Sequence, residues 1–171
     1  RRPRRCPEYD HDGGRRQLPP ARWAVTICET EVVVGQPPEV VAERWSALPS
    51  LAGRLGGVVV SPLSRLTSQW SVPVAAGQRL DLVVRIVGRT ARDIVWSTTR
   101  GPEVSGRVSF RPFGDESTAV RLRFEVLPHG VLERVAVLAG LPEHAAAGFL
   151  QAFKKAVEDD RGVADPSEVE P

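Results

Sequence analysis

The sequence predicts an α+β domain, in which a curved antiparallel sheet of about seven strands wraps around a long C-terminal helix, with two short helices after the first strand. Apolar and polar residues alternate strictly between residues 94 and 127, which is typical of strands with one buried and one solvated face. Near the end of the chain, apolar residues recur at spacings of three and four, as in an amphipathic helix. Turn residues recur about every ten positions, which favours a meander of neighbouring strands. A sheet closed over one helix in this way can enclose a cavity.

The first third of the chain predicts one strand and two short helices. Residues 25–34 are rich in β-branched side chains, which favour strands. Pro38 suits the first turn of a helix, which we expect to run to about Leu48. Ser50 can cap a second short helix, and Gly56 would end it.

Six further strands are predicted between residues 58 and 127. The first three cover residues 58–65, 66–74 and 79–87, and the last three lie between residues 94 and 127. Arginine, serine and glutamate occupy the outward positions of the last strands, so we expect that face of the sheet to be solvated. Their predicted inward positions are Ile94, Trp96, Thr98, Val108, Phe110, Thr118, Val120, Leu122, Phe124 and Val126.

The C-terminal part predicts two helices. Residues 131–139 predict a short apolar helix, and Pro142 is placed to begin the main one. Glu143 lies in its first turn, where a negative charge suits the helix dipole. The stripe that would face the sheet is Ala146, Phe149, Leu150, Phe153 and Val157.

Charge and composition suggest one domain with two tails. Residues 1–22 are rich in arginine and almost free of apolar residues, and residues 161–171 are acidic, so both are predicted to be disordered. Residues 23–160 are predicted to form the domain, which we expect to be a monomer or a homodimer.

Composition also disfavours several classes of function. No apolar run reaches the roughly 18 residues of a transmembrane helix. The arginines are scattered over outward strand positions rather than gathered with exposed aromatic residues, which argues against nucleic-acid binding. The two cysteines, Cys6 and Cys28, lack neighbours with metal-ligand spacing, and no phosphate-binding or nucleophile motif occurs. We therefore expect no cofactor and no metal, and a reduced, cytoplasmic setting.

Several short motifs resemble, in order, those of one superfamily. Residues 32–41 resemble an apolar strand followed by Ala-Pro-Pro-Glu-x-Val, with Gly-Gln where the alanine usually falls. Further similarities occur at residues 68–70, 94–97, 106–112, 118–122 and 153–154, with Pro128 and Gly130 after the last strand. Over residues 24–160 the chain is similar to the START-like (SRPBCC, or Bet v 1-like) superfamily, in its polyketide cyclase/dehydrase branch. This resemblance implies the helix-grip fold.

The candidate binding residues are those that would face a cavity between sheet and helix. Two tryptophans, Trp70 and Trp96, are predicted on its wall, where they could also be plain core. Arg79 and Arg100 lie near strand ends, from which they could reach the cavity mouth. The predicted lining is Trp70, Leu82, Val84, Ile94, Trp96, Thr98, Val108, Phe110, Leu122 and Phe149.

These features lead to three functional hypotheses. The first is binding of a hydrophobic small molecule (a lipid, a quinone or a polyketide-like ring) in the cavity. The second, implied by the resemblance, is a polyketide cyclase/dehydrase (aromatase/cyclase) acting on a poly-β-ketone. The inward polar positions, Ser68, Thr98 and Thr118, carry hydroxyls that are too weakly acidic for unaided proton transfer, which favours binding. None of the histidines, His11, His129 and His144, falls on an inward strand position. The third hypothesis is a partner-binding module that uses the outer sheet face.

Overall fold

The computed structural model of the protein describes residues 25–74, 77–127 and 141–160. The two predicted tails, the predicted helix at residues 131–139, Cys6, His11 and His129 lie outside the described residues. Within them, the strands are β1 (Thr26–Val34), β2 (Val59–Pro62), β3 (Thr67–Pro73), β4 (Arg79–Arg89), β5 (Asp93–Arg100), β6 (Glu103–Pro112) and β7 (Thr118–Leu127). The helices are α1 (Pro38–Ser46), a 3-10 helix (Leu48–Leu51) and α2 (Leu141–Asp159).

All seven strands form one antiparallel sheet, in the order β1-β7-β6-β5-β4-β3-β2. Strands β2 to β7 are therefore consecutive neighbours, which confirms the predicted meander. The first strand returns to pair with the last, and Val32 lies opposite Val120. Val120 in turn lies opposite Phe110 of β6, so the three side chains form one row across the inner face.

The predicted alternation along β7 is confirmed. Its inward side chains, from Thr118 to Val126, are buried, while Arg121, Arg123 and Glu125 are exposed. The same applies to the outward arginines of the other strands, Arg85, Arg107 and Arg111. One face of the sheet is thus solvated and the other carries the core.

Helix α2 covers the inner face with the predicted stripe. Ala146, Phe149, Leu150, Phe153 and Val157 are all buried, and Ala156 joins them. Trp45 of α1 joins this stripe to the sheet, because its ring meets Phe149, Phe153 and Phe110 edge-on, at centroid distances of 5.6, 5.0 and 5.9 Å. Edge-to-face contacts of this kind are favourable arrangements of aromatic rings.

The second helix after β1 differs from its prediction. Helix α1 ends at Ser46, and the following helix is a single 3-10 turn that includes Ser50 instead of being capped by it. The Ser50 hydroxyl donates a hydrogen bond to the Ala47 carbonyl at 2.7 Å. Pro49 is the second residue of this 3-10 helix, where its missing N–H is tolerated, and it therefore lies inside a helix instead of ending α1 as predicted.

Two more details bear on the site. Strand β2 stops at Pro62 instead of continuing to residue 65, and residues 63–66 form the tip of a hairpin. Gly101 turns the chain from β5 to β6 with a φ of 93°, and a Cβ there would come within 2.7 Å of the Asp81 carbonyl oxygen. Glycine is therefore required at this turn.

Among the described helices, none is long and apolar enough to cross a membrane.

Candidate functional site

A cavity of about 560 Å³ lies between the inner face of the sheet and α2. Strands β2 to β7 form its floor, the start of α2 covers it, and the end of α1 with the 3-10 helix forms one side. Its wall is mostly apolar. The aliphatic and aromatic lining comprises Trp45, Leu48, Val58, Val60, Leu66, Trp70, Val72, Val74, Leu80, Leu82, Val84, Ile86, Ile94, Trp96, Val104, Leu122, Phe124, Val126, Ala145, Ala146 and Phe149.

The structure brings together seven of the ten side chains that the sequence analysis placed on the cavity wall. These are Trp70, Leu82, Val84, Ile94, Trp96, Leu122 and Phe149. Val108 and Phe110 are 0% and 1% exposed and lie in the core, outside the lining. Phe110 packs against Trp45 instead, because the sheet is in direct contact with the helices at this end.

Thr98 also lies outside the lining, and its hydroxyl is used locally. Its Oγ1 donates to the Pro102 carbonyl at 2.7 Å and accepts from the Val104 amide at 3.0 Å. The side chain thereby closes the turn between β5 and β6. Thr118 is likewise engaged, since its buried hydroxyl donates to the Gln36 carbonyl at 2.6 Å.

Trp70 forms part of the wall opposite α2. Its ring meets Phe149 edge-on, with a centroid distance of 5.6 Å and an angle of 61°. Its indole N–H donates to Ser68 Oγ at 2.8 Å, so the polar atom of this ring has a partner within the protein. What Trp70 presents to the cavity is therefore mainly an apolar surface.

Among the described lining residues, the charged ones are two arginines, and no carboxylate is present. Arg79 lies opposite Pro73 at the end of β3, and Arg65 precedes the start of the same strand. The Arg79 guanidinium donates to the carbonyls of Gly57 and Ser71, both at 2.8 Å, and to Ser71 Oγ at 2.9 Å. Arg79 thus borders the cavity, while Arg100 is exposed and lies outside the lining.

Groups suited to proton transfer are scarce around the cavity. His144 is exposed on α2 and does not line it. Cys28 is buried in β1, outside the lining, and burial raises the pKa of its thiol, with a smaller contribution from the charge of Glu143. In the part of the chain that the structure describes, no cluster of three histidine, cysteine, aspartate or glutamate side chains could hold a metal ion.

Sequence reasoning missed the hairpin tip between β2 and β3 as part of the site. Ser64, Arg65 and Leu66 all line the cavity, although they were predicted to lie in two strands. Leu66 remains 51% exposed, which places it at the opening. Pro62 was the available signal, because proline rarely continues a paired strand and its presence favours a turn there.

The outer face of the sheet carries exposed ion pairs and no part of the cavity. Arg121 donates to Glu31 Oε2 at 2.8 Å and lies 3.6 Å from Glu29 Oε1. The hydrogen bond to Glu31 raises the pKa of Arg121. All three side chains are about half exposed, so they lie on a solvated surface, where such pairs contribute little to stability.

Comparisons of sequence find few known relatives of this protein. No protein-family model matches the chain. An uncharacterized 17.2 kDa protein, encoded in the melC2-rnhH intergenic region of Streptomyces lincolnensis, is 25% identical over 134 residues, which cover 77% of this chain and 89% of that protein.

Similar solved structures include aromatase/cyclase and START superfamily proteins. The Zhui aromatase/cyclase from a Streptomyces species has a TM-score of 0.71 and 18% identity, over 85% of this chain and all of that one. A protein of Thermus thermophilus has a TM-score of 0.70 and 18% identity, over 82% of this chain and 100% of that one. A START superfamily protein of Mycobacterium smegmatis has a TM-score of 0.59 and 18% identity, over 81% of this chain and 99% of that one.

The fold is therefore the helix-grip fold that these aromatase/cyclase and START superfamily proteins share. Likeness at these identities establishes the fold, and a fold by itself does not determine the function.

Proposed function

We propose that the protein binds a hydrophobic small molecule, such as a lipid, a quinone or a polyketide-like ring, in the cavity between the sheet and α2. The observation that carries this proposal is the cavity itself, whose volume is about 560 Å³ and whose wall is mostly apolar. Small-molecule sites typically have volumes of about 300–1,000 Å³ and apolar walls with few polar groups. A well-packed core of ordinary type leaves no space of this size.

The energetics of such a site do not require an ion pair. A ligand that buries about 400 Å² of apolar surface gains about 10 kcal/mol at about 25 cal/mol per Å². A micromolar dissociation constant corresponds to about 8 kcal/mol. Association and ordering of the ligand cost at least about 4 kcal/mol, which leaves about 6 kcal/mol and an affinity of tens of micromolar from the apolar wall alone.

The alternative function is a polyketide cyclase/dehydrase acting on a poly-β-ketone. It is supported by fold neighbours that are named aromatase/cyclases. Such chemistry needs a group that exchanges protons near neutral pH. The Ser68 hydroxyl is too weakly acidic for unaided proton transfer, and the described lining contains no carboxylate, so the described residues favour binding.

A cavity-filling variant tests the proposal. Ala145 lines the cavity, whereas Ala147 is exposed on the same helix and does not. We expect Ala145→Trp to abolish saturable binding of aminoanthracene, followed by the fluorescence of the probe, and Ala147→Trp to preserve it. Native mass spectrometry of protein purified from its own host should show a bound hydrophobic molecule that Ala145→Trp loses.

The result also separates the two functions. Failure of the unmodified protein to bind either the probe or a host molecule would contradict the binding proposal. Conversion of a poly-β-ketone thioester into an aromatic product, seen as a new absorption band, would establish the cyclase.

The proposed setting is the bacterial cytoplasm, where the free thiol of Cys28 stays reduced.

A further inference from the structure

Gly106 of β6 lies between two aromatic side chains of the cavity wall. It is directly opposite Trp96 of β5 on one side and Phe124 of β7 on the other. Both aromatic residues line the cavity, and their ring centroids are 6.4 Å apart. Gly106 itself does not line it, because the ring of Trp96 lies over the glycine.

This arrangement depends on the missing side chain. A Cβ built on Gly106 would lie 2.8 Å from Cζ2 of Trp96, and 2.7 Å from both Cβ of Phe124 and the carbonyl oxygen of Arg123. Atoms do not approach a real Cβ so closely. The glycine is therefore needed for close approach, and its backbone does not lie in the left-handed region.

We propose that Gly106 sets the depth of the cavity, and with it the size of the ring system that the site accepts, by letting Trp96 lie against the sheet. This inference rests on the proposed binding function. The sheet backbone lies behind the indole and the cavity lies in front of it. Any side chain at position 106 therefore displaces the indole into the space that a ligand would occupy.

The consequence is a selective loss of large ligands. A small ring still fits beside a displaced Trp96, whereas a larger ring must compete with it for the same space. We therefore predict that Gly106→Ala changes the order of affinities within a ligand series, which a general loosening of the sheet would not do.

The test is a titration with aminonaphthalene, aminoanthracene and aminopyrene, which have two, three and four fused rings. We expect Gly106→Ala to weaken aminopyrene binding about tenfold more than aminonaphthalene binding. The matched control is Gly88→Ala on β4, where a new Cβ would be 3.6 Å from the nearest atom of Val95, an ordinary contact. That control should leave the ratio of the aminopyrene affinity to the aminonaphthalene affinity unchanged.

A second variant covers the case in which Gly106→Ala does not fold. Phenylalanine lacks the six-membered part of the indole that lies over Gly106, so Trp96→Phe changes the depth of the cavity without adding a side chain at position 106. Trp96→Phe should deepen the floor and shift the affinity ratio towards aminopyrene.

The outcomes separate this inference from the proposed function. Failure of the unmodified protein to bind any of the three probes would contradict the binding function itself. Binding by the unmodified protein with an affinity ratio that stays the same in Gly106→Ala, or in Trp96→Phe where Gly106→Ala does not fold, would overturn the role of Gly106.

Discussion

The indole N–H of Trp70 donates to Ser68 Oγ, two residues earlier on the same strand, at 2.8 Å. Both side chains line the cavity. The bond therefore pairs two of the few polar atoms on the wall with each other. It satisfies the indole N–H within the wall, while the Ser68 hydroxyl keeps its own O–H donor.

Removing this hydroxyl should have a measurable cost. We expect Ser68→Ala to lower the free energy of unfolding by about 0.5–1.5 kcal/mol, because the indole N–H loses its partner in a half-buried position. Urea denaturation measures the change. The control is Ser105→Ala, an exposed serine on β6, which should have little effect. Equal stability of the two variants would show that the bond contributes nothing to folding.

Two phenylalanines of α2 should separate packing from binding. Phe153 is 0% exposed and lies outside the cavity lining, so Phe153→Ala should cost about 3–5 kcal/mol of stability while the folded protein still binds aminoanthracene. Phe149 contacts Trp45 and Trp70 and lines the cavity, so Phe149→Ala should both destabilise the protein and change probe affinity. Chemical denaturation and probe titration under folded conditions measure the two effects. Loss of binding in the folded Phe153→Ala protein would contradict this division.

The carboxylate of Asp160, at the end of α2, should stabilise the folded protein to an extent that depends on pH. Asp160 is bonded to Arg54 at 2.6 Å and lies 3.2 Å from Arg44, and chiefly the bond to Arg54 lowers its pKa. Because its pKa in the folded state lies below the unfolded value of about 3.9, the stabilisation is fully present above that value and is lost as the pH falls through the folded-state pKa.

Asp160→Asn should therefore lower the melting temperature at neutral pH, and the difference from the unmodified protein should shrink as the solution is acidified. Asp159→Asn is the matched control, because its nearest contact with Arg54 is 4.0 Å long. A difference that persists unchanged at the lowest pH would mean that charge on Asp160 is not the cause.

Cys28 should resist alkylation in the folded protein. It is 1% exposed, and burial raises the pKa of its thiol, so the reactive thiolate is scarce and inaccessible. In a Cys6→Ser background, we expect iodoacetamide to modify Cys28 only when urea unfolds the domain. Mass spectrometry of the alkylated protein measures this. Rapid modification without denaturant would show that β1 opens readily from the sheet.

Local periodicity explains why much of the architecture was predictable. The alternation along β7 and the apolar stripe on α2 each indicate which side of one element faces the core. Residues close together in the sequence are enough to predict that side. The predicted lining of β4 and the two tryptophans, Trp70 and Trp96, follow from the same rule, since every second residue of a strand shares a face.

Position along an inward face was not predictable in the same way. Thr98, Val108 and Phe110 were all predicted to line the cavity. Thr98 instead closes a turn, and the other two are buried in the core, with Phe110 against Trp45 of α1. Whether an inward side chain meets a cavity or a helix depends on the path of distant elements. Periodicity carries no information about that path.

The sequence by itself determined the order of the elements, the face that each one buries and the solvated character of the outer sheet, because these depend on contacts between near neighbours along the chain. Tertiary structure alone decided that the hairpin tip around Arg65 borders the cavity and that Gly106 lies beneath Trp96. These relationships arise from strand register and from helices that pack across the sheet. The physical reason is that cavity shape is set by the gaps between elements that are far apart in sequence.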